Sequence, residues 1–160
     1  MPLSPRPRWS GAPRLEDSIQ YSSEPTQYGD PEGMPEDERM TDAEFRTIRE
    51  WLGVSSEWLA GHLGVSTRTI RHWEAGKYPI PDGVRLEIER LEAQTGEFVG
   101  RVVDALLDVP DPVVVVYRSD AEYHAAHPEV GFPASWHRRV IARAALEVPA
   151  LQIVYQEQQQ

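Results

Sequence analysis

Cysteine is absent from the 160 residues. That excludes a disulfide scaffold, a thiolate nucleophile and a cysteine zinc finger. No apolar run approaches the ~18 residues that a membrane span needs. The first 40 residues hold no apolar core of the kind a signal peptide requires, so a cytoplasmic location is expected. Lysine is nearly absent as well. Of 16 cationic residues only Lys77 is a lysine, a bias that points to GC-rich coding DNA. Basic charge is scarce overall: 26 acidic side chains against 16 basic ones leave a formal charge of −10. A generic nucleic-acid coat is usually basic and is disfavoured, although charge acts locally and a single binding module survives that test. What is present is ordinary for a globular chain, with 40% hydrophobic and 26% charged residues.

Residues 1–40 hold 7 of the 14 prolines, and their only Val, Leu or Ile residues are Leu3, Leu15 and Ile19. Such a segment buries too little apolar surface to offset the entropy of ordering it, so a disordered tail is expected. Its beginning is basic (Arg6, Arg8, Arg14) and its end acidic (Glu36, Asp37, Glu38). It reads as a solvated extension, with a phosphate-binding or minor-groove arm as the alternative. Met40, directly before a strong helix start, is itself a candidate initiator.

Helical grammar begins at Thr41. Thr41-x-x-Glu44 has capping-box spacing. Phe45, Ile48 and Leu52 then recur at helical spacing, with Arg46, Arg49 and Glu50 on the other face, and Gly53 ends the helix. Ser55 or Ser56 caps a second helix at about 57–63, Gly64 makes the turn, and Ser66 caps a third at about 67–75, closed by Gly76. A fourth starts near Asp82. Its stripe runs Val84, Ile88, Leu91, Thr95, Phe98, Val102, Leu106, and after Gly96 a second row appears at Val99, Val103 and Leu107. A helix with two apolar faces must be covered on both. Beyond Pro110 and Pro112, residues 113–117 read as a strand. Ser119-x-x-Glu122 caps a short helix, Pro133 starts another through Trp136, Val140 and Ile141, and residues 151–155 form a second strand. The glutamine-rich end is expected to fray.

Residues 56–73 carry the functional signal. Two short helices meet at Gly64, with apolar Leu59, Leu63, Val65, Ile70 and Trp73 and a small Ala60 where the next helix crosses. This is the spacing of a helix-turn-helix. Ile70 and Trp73 point inward, leaving Thr67, Arg68, Thr69, Arg71 and His72 facing out. Arginine pairs bidentately with guanine O6 and N7, and threonine reaches a hydroxyl or methyl contact. The helix start at Ser66 offers amides to a phosphate, and Lys77 and Tyr78 follow the helix as backbone contacts. The DNA-binding candidates are therefore Ser66, Thr67, Arg68, Thr69, Arg71, His72, Lys77 and Tyr78. Glu74 reads as orienting Arg71 or Lys77 or as a local cap, with a cytosine contact as the minor reading. Trp51 and Trp58 read as packing, with Trp58 also a candidate to lie against the sugar-phosphate edge.

Other chemistries find less support. His124-x-x-His127, with His137 or Glu129 as a third ligand, is the nearest approach to a metal cluster, but Pro128 follows directly. There is no HExxH, GxSxG, P-loop or GxGxxG phrase. No catalytic residue, metal or cofactor is expected.

The phrase S-T-R-T-I-R-H-W-E-A-G-K-Y-P-I-P at 66–81 resembles the Cro/repressor-type (XRE) helix-turn-helix regulators. Within them the wider pattern resembles the anti-CRISPR-associated autorepressors, through the start at Met40–Ile48, Pro81–Asp82, a strand and helix like 116–128 and a closing helix like 136–146. The resemblance implies a lambda-repressor-like fold and a symmetric homodimer repressing from an inverted repeat. The expected layout is a mainly α protein: a tail at 1–40, a helix-turn-helix domain at 41–95 and a small α+β dimerisation segment at 96–155. Its expected partner is double-stranded DNA, nucleoid-associated and without a membrane, and RNA stays open as an alternative ligand. The competing reading is an antitoxin-like or adaptor protein whose C-terminal segment grips a protein partner.

Overall fold

The computed structural model describes residues 39–157. The proline-rich tail at 1–38, with Arg6, Arg8 and Arg14, and the final glutamines at 158–160 lie outside the described residues.

The elements run α1 (Asp42–Leu52), α2 (Ser56–Leu63), α3 (Thr67–Glu74), α4 (Asp82–Leu106), β1 (Val113–Val116), α5 (Asp120–Ala126), α6 (Ala134–Ala145) and β2 (Gln152–Tyr155). The chain is mainly α with one two-stranded sheet among the described residues, as expected. No described helix is long and apolar enough to cross a membrane. The described residues divide into two compact units, 39–51 with 55–94 and 52–54 with 95–157.

In the first unit, local chemistry sets every boundary. Thr41 Oγ1 accepts from the Glu44 amide at 3.0 Å, and Glu44 Oε2 accepts from the Thr41 amide at 2.9 Å. That is the reciprocal capping box read from the spacing. Ser55 Oγ accepts from the Trp58 amide at 3.0 Å and Ser66 Oγ from the Thr69 amide at 3.1 Å. Gly64 leaves α2 with φ of 70°, a left-handed value that costs any other L-residue. Phe45, Leu59, Leu63, Ile70, Trp73, Val84 and Ile88 are buried together in this unit, and Phe45 meets Trp73 edge to face at 5.9 Å. Ala60 is buried where small size was expected. Removing a buried indole such as Trp73 costs about 3–5 kcal/mol.

The second unit holds Leu52, Val99, Val103, Val140, Ile141 and Ala144 in its interior. Trp136 lies there too, stacked on Phe132 at 4.0 Å and donating from Nε1 to Thr95 Oγ1 at 3.0 Å. Of the two rows on the later half of α4, the second is the inner one. Val99 and Val103 are buried, Phe98 and Val102 half-buried, and Leu107 is 53% exposed. β1 and β2 pair in parallel, Val113 with Gln152 through Val116 with Tyr155, joined by the crossover through α5 and α6. Asp120 Oδ1 accepts from the Ala134 amide at 2.8 Å, which supplies α6 with the cap its own Pro133 lacks.

Candidate nucleic-acid interface

Helix α3 separates sharply into two sides. Ile70 and Trp73 are fully buried, whereas Arg68 and Arg71 are exposed. Positions 68 and 71, three apart, share a face, and His72 stands four from Arg68. Lys77 is exposed just past the helix, and its ammonium lies 5.6 Å from the Tyr78 ring. The half-buried Tyr78 ring sits 5.4 Å from that of His72. One continuous edge therefore carries Arg68, Arg71, His72, Lys77 and Tyr78.

Thr69 does not join it. Placed among the outward residues by sequence, it is 3% exposed, and its Oγ1 lies 3.0 Å from Ser66 Oγ. The reason is geometric. Position 69 lies one turn before Trp73, so it falls at the margin of the arc that Ile70 and Trp73 bury. Its hydroxyl finds a partner in the N-cap rather than in a ligand. Ser66 is exposed, but its side-chain oxygen is committed to the Thr69 amide, so what this position leaves open is the helix start and not the hydroxyl. Thr67, half-buried, stands at that start.

Glu74 also has another partner than the expected Arg71 or Lys77. Its two carboxylate oxygens receive the Arg49 guanidinium, from Nε at 2.5 Å and Nη2 at 3.3 Å, with side-chain exposures of 11% and 13%. Arg49, assigned by periodicity to the solvent side of α1, thus turns to α3. Nothing local in the sequence signals a pair 25 positions apart. The consequence is electrostatic: the one anion of the segment 66–78 is paired from behind and does not offset the cations at 68, 71 and 77.

Arg71 reaches Glu57 Oε1 only at 3.8 Å, with both side chains about two-thirds exposed. A pair of that kind contributes ~0–1 kcal/mol and yields easily to a stronger partner. Arg68 and Lys77 make no ion pair among the described residues. The His72 imidazole is held below its ordinary value, first by desolvation and then by the charges of Lys77 and Arg68. It is therefore neutral near pH 7 and offers hydrogen bonds there, not charge. Trp58 stacks on His62 at 4.9 Å with rings 10° apart, which favours the packing role. In turn His62 Nε2 lies 2.7 Å from the buried Glu87 carboxylate.

The remaining histidines are engaged elsewhere. His124 Nε2 lies 2.9 Å from the Phe132 carbonyl oxygen, His127 Nε2 lies 3.1 Å from Tyr117 Oη, and His137 stacks on Tyr123 at 4.7 Å. No group of three or more potential metal ligands is assembled among the described residues.

A family model described as a helix-turn-helix domain matches residues 43–111. Among characterised proteins, the Aca2 repressor of Pectobacterium phage ZF40 is 32% identical over 91 residues, spanning 56% of this chain and 78% of the phage protein.

Proposed function

Since the chain belongs to the XRE-type helix-turn-helix regulators, in the branch of the anti-CRISPR-associated repressors, we propose that it is a sequence-specific DNA-binding repressor acting as a homodimer on an inverted repeat. The observation that carries this reading is the two-sided recognition helix, with Thr69, Ile70 and Trp73 buried behind an exposed Arg68 and Arg71. Arg68 and Arg71 are the base readers. Lys77 and Tyr78 hold the sugar-phosphate backbone, and the start of α3 at Ser66 and Thr67 receives a phosphate. His72 donates or accepts as a neutral ring. Thr69 acts from behind, by fixing the first turn of the helix.

Arithmetic and surface support dimerisation through residues 96–155, with DNA binding at 41–95. Each good bidentate base contact is worth ~1–3 kcal/mol, and one short helix makes few of them. Two linked modules multiply the discrimination. Leu107, Val109, Val113, Val115, Leu146 and Ile153 are all large, apolar and exposed, and all belong to the second unit. A two-stranded parallel sheet is marginal alone, and parallel sheets are ordinarily covered on both faces. A second copy, bringing the same patch in two-fold symmetry, is the cover this surface fits.

The test is protection of the DNA upstream of the protein's own gene. Two protected half-sites about one helical turn apart are expected. A protein that binds that DNA no better than random duplex contradicts the reading.

A further inference from the structure

The chain's negative charge is unevenly placed. Residues 15–38 contain eight carboxylates and no cation, and five of those carboxylates (Asp30, Glu32, Glu36, Asp37, Glu38) fall in the last nine positions. That segment lies outside the described residues, but the point where it joins the body does not. Met40 is 5% exposed, fixed in the wall of an open cleft whose other walls are Asp42, Trp73, Lys77, Tyr78 and Ile80. The acidic stretch therefore joins the body beside Lys77, at the end of the cationic edge of α3.

Three facts make that edge its natural ligand. Four arginines of this unit are already paired: Arg46 with Glu50, Arg49 with Glu74, Arg85 with Asp82 and Glu89, and Arg90 with Glu87. Among the described residues, Arg68 and Lys77 have no such partner, and Arg71 has only the loose contact to Glu57. The distance is short, since the eight residues of α3 span ~12 Å, while nine extended residues reach ~30 Å. The tether is short as well, and segments joined this way meet at effective concentrations of ~1 mM. Asp42, the carboxylate already in the cleft, accepts from the Ala43 amide at 2.9 Å and makes no ion pair with Lys77 among the described residues.

We propose that residues 30–38 dock on the Arg68–Lys77 edge and act as an internal competitor for duplex DNA. The inference rests on the DNA-binding reading above. Carboxylates there stand in for phosphates, so duplex must displace them to bind. The segment weakens binding to every sequence by the same factor, which lowers the protein's occupancy of random DNA without altering its preference among sites. An effective concentration of ~1 mM against a contact of about 0.5 mM leaves a third of the molecules competent, which is a roughly threefold loss of affinity.

Lys77, the sole lysine, makes the contact directly testable. A zero-length carbodiimide cross-linker applied to the full chain joins carboxylates to that one ε-amine, and peptide mapping identifies the partner. The expected product links Lys77 to a carboxylate within 30–38. It disappears in Lys77→Arg, which keeps the charge but not the amine, and it is suppressed by saturating duplex. The full-chain variant Asp30→Asn/Glu32→Gln/Glu36→Gln/Asp37→Asn/Glu38→Gln is expected to bind random duplex about threefold more tightly. General charge repulsion alone would also strengthen that variant, so the cross-link decides. Lys77 joined only to Asp42, or to nothing, overturns the docking. A link that persists undiminished under saturating duplex overturns the competition. Failure of the full chain to bind any duplex, with the link present, overturns the DNA-binding reading and leaves the contact itself standing.

Discussion

The guanidinium of Arg49 on α1 grips the carboxylate of Glu74 at the end of α3 with two hydrogen bonds, both side chains nearly buried. This pair fixes the C-terminal end of the recognition helix against the first helix. Breaking one half of a buried pair leaves an uncompensated charge, which typically costs ~3–5 kcal/mol. Some exposure remains here, so Arg49→Met is expected to cost about 2–3 kcal/mol in urea denaturation. Arg49→Met/Glu74→Met restores most of that loss. A double variant as unstable as the sum of the two singles would show that the residues do not act as a pair.

Arg71 and Lys77 are predicted to fail differently. Arg71→Ala should cost ~1–3 kcal/mol on the preferred site and relax the base choice at one position. Lys77→Ala should weaken preferred and random duplex alike and reduce the salt slope by about one. Titrations at several salt concentrations separate the two. Equal losses on both kinds of DNA for Arg71→Ala would remove it from the reading role.

Much of the first unit was legible because its information is local. The Thr41–Glu44 box, the Ser55 and Ser66 caps, the turn at Gly64 and the inward Ile70 and Trp73 are all set within four residues of one another. Thr69 was misplaced because a polar residue at the margin of the buried arc looks outward until its hydroxyl is seen bonded to the cap. Arg49–Glu74 and the parallel ladder of Val113–Val116 with Gln152–Tyr155 are non-local. Periodicity found two strands, but neither their pairing nor its direction.

Two groups make the fold sensitive to acid and a third opposes them. Burial, with the charges of His127 and Arg138, pushes the His137 imidazole down to about 4. Its folded value lies below its unfolded one, so its contribution is present above pH ~6.5 and lost as pH falls toward 4. The full shift corresponds to ~3 kcal/mol. Burial alone raises the Glu87 carboxyl, but Arg90 and His62 overcome it and hold the group at about 2. That contribution is present above pH ~4.5 and lost toward 2. Glu89, raised by burial to about 7, works the other way, favouring the fold below pH ~4.5 and ceasing to do so as pH rises through 7. Urea midpoints of wild type and His137→Phe between pH 7 and 4.5 check the His137 contribution. Glu89 opposes His137 across that range, so the stability difference should move in the variant's favour as pH falls, and a difference independent of pH would place the acid-sensitive group elsewhere.

The exposed apolar residues of the second unit predict self-association. Val115, 40% exposed, lies beside Val154 on one face of the sheet. Val115→Glu should shift sedimentation from dimer to monomer at micromolar concentration, leave the helical content intact, and weaken a two-half-site duplex far more than a single half-site. A wild-type chain that sediments as a monomer even with its DNA bound would remove the dimer from the account.

The central claim is that Arg68 and Arg71 read guanines from the exposed edge of α3, and methylation interference tests it most directly. Guanines methylated at N7 cannot accept the arginine fork. Wild-type protein should reject duplexes so modified at a few discrete guanines, placed symmetrically in two half-sites, and Arg68→Ala and Arg71→Ala should each lose the interference at a different one. Interference that is absent, or that survives unchanged in both variants, contradicts the account.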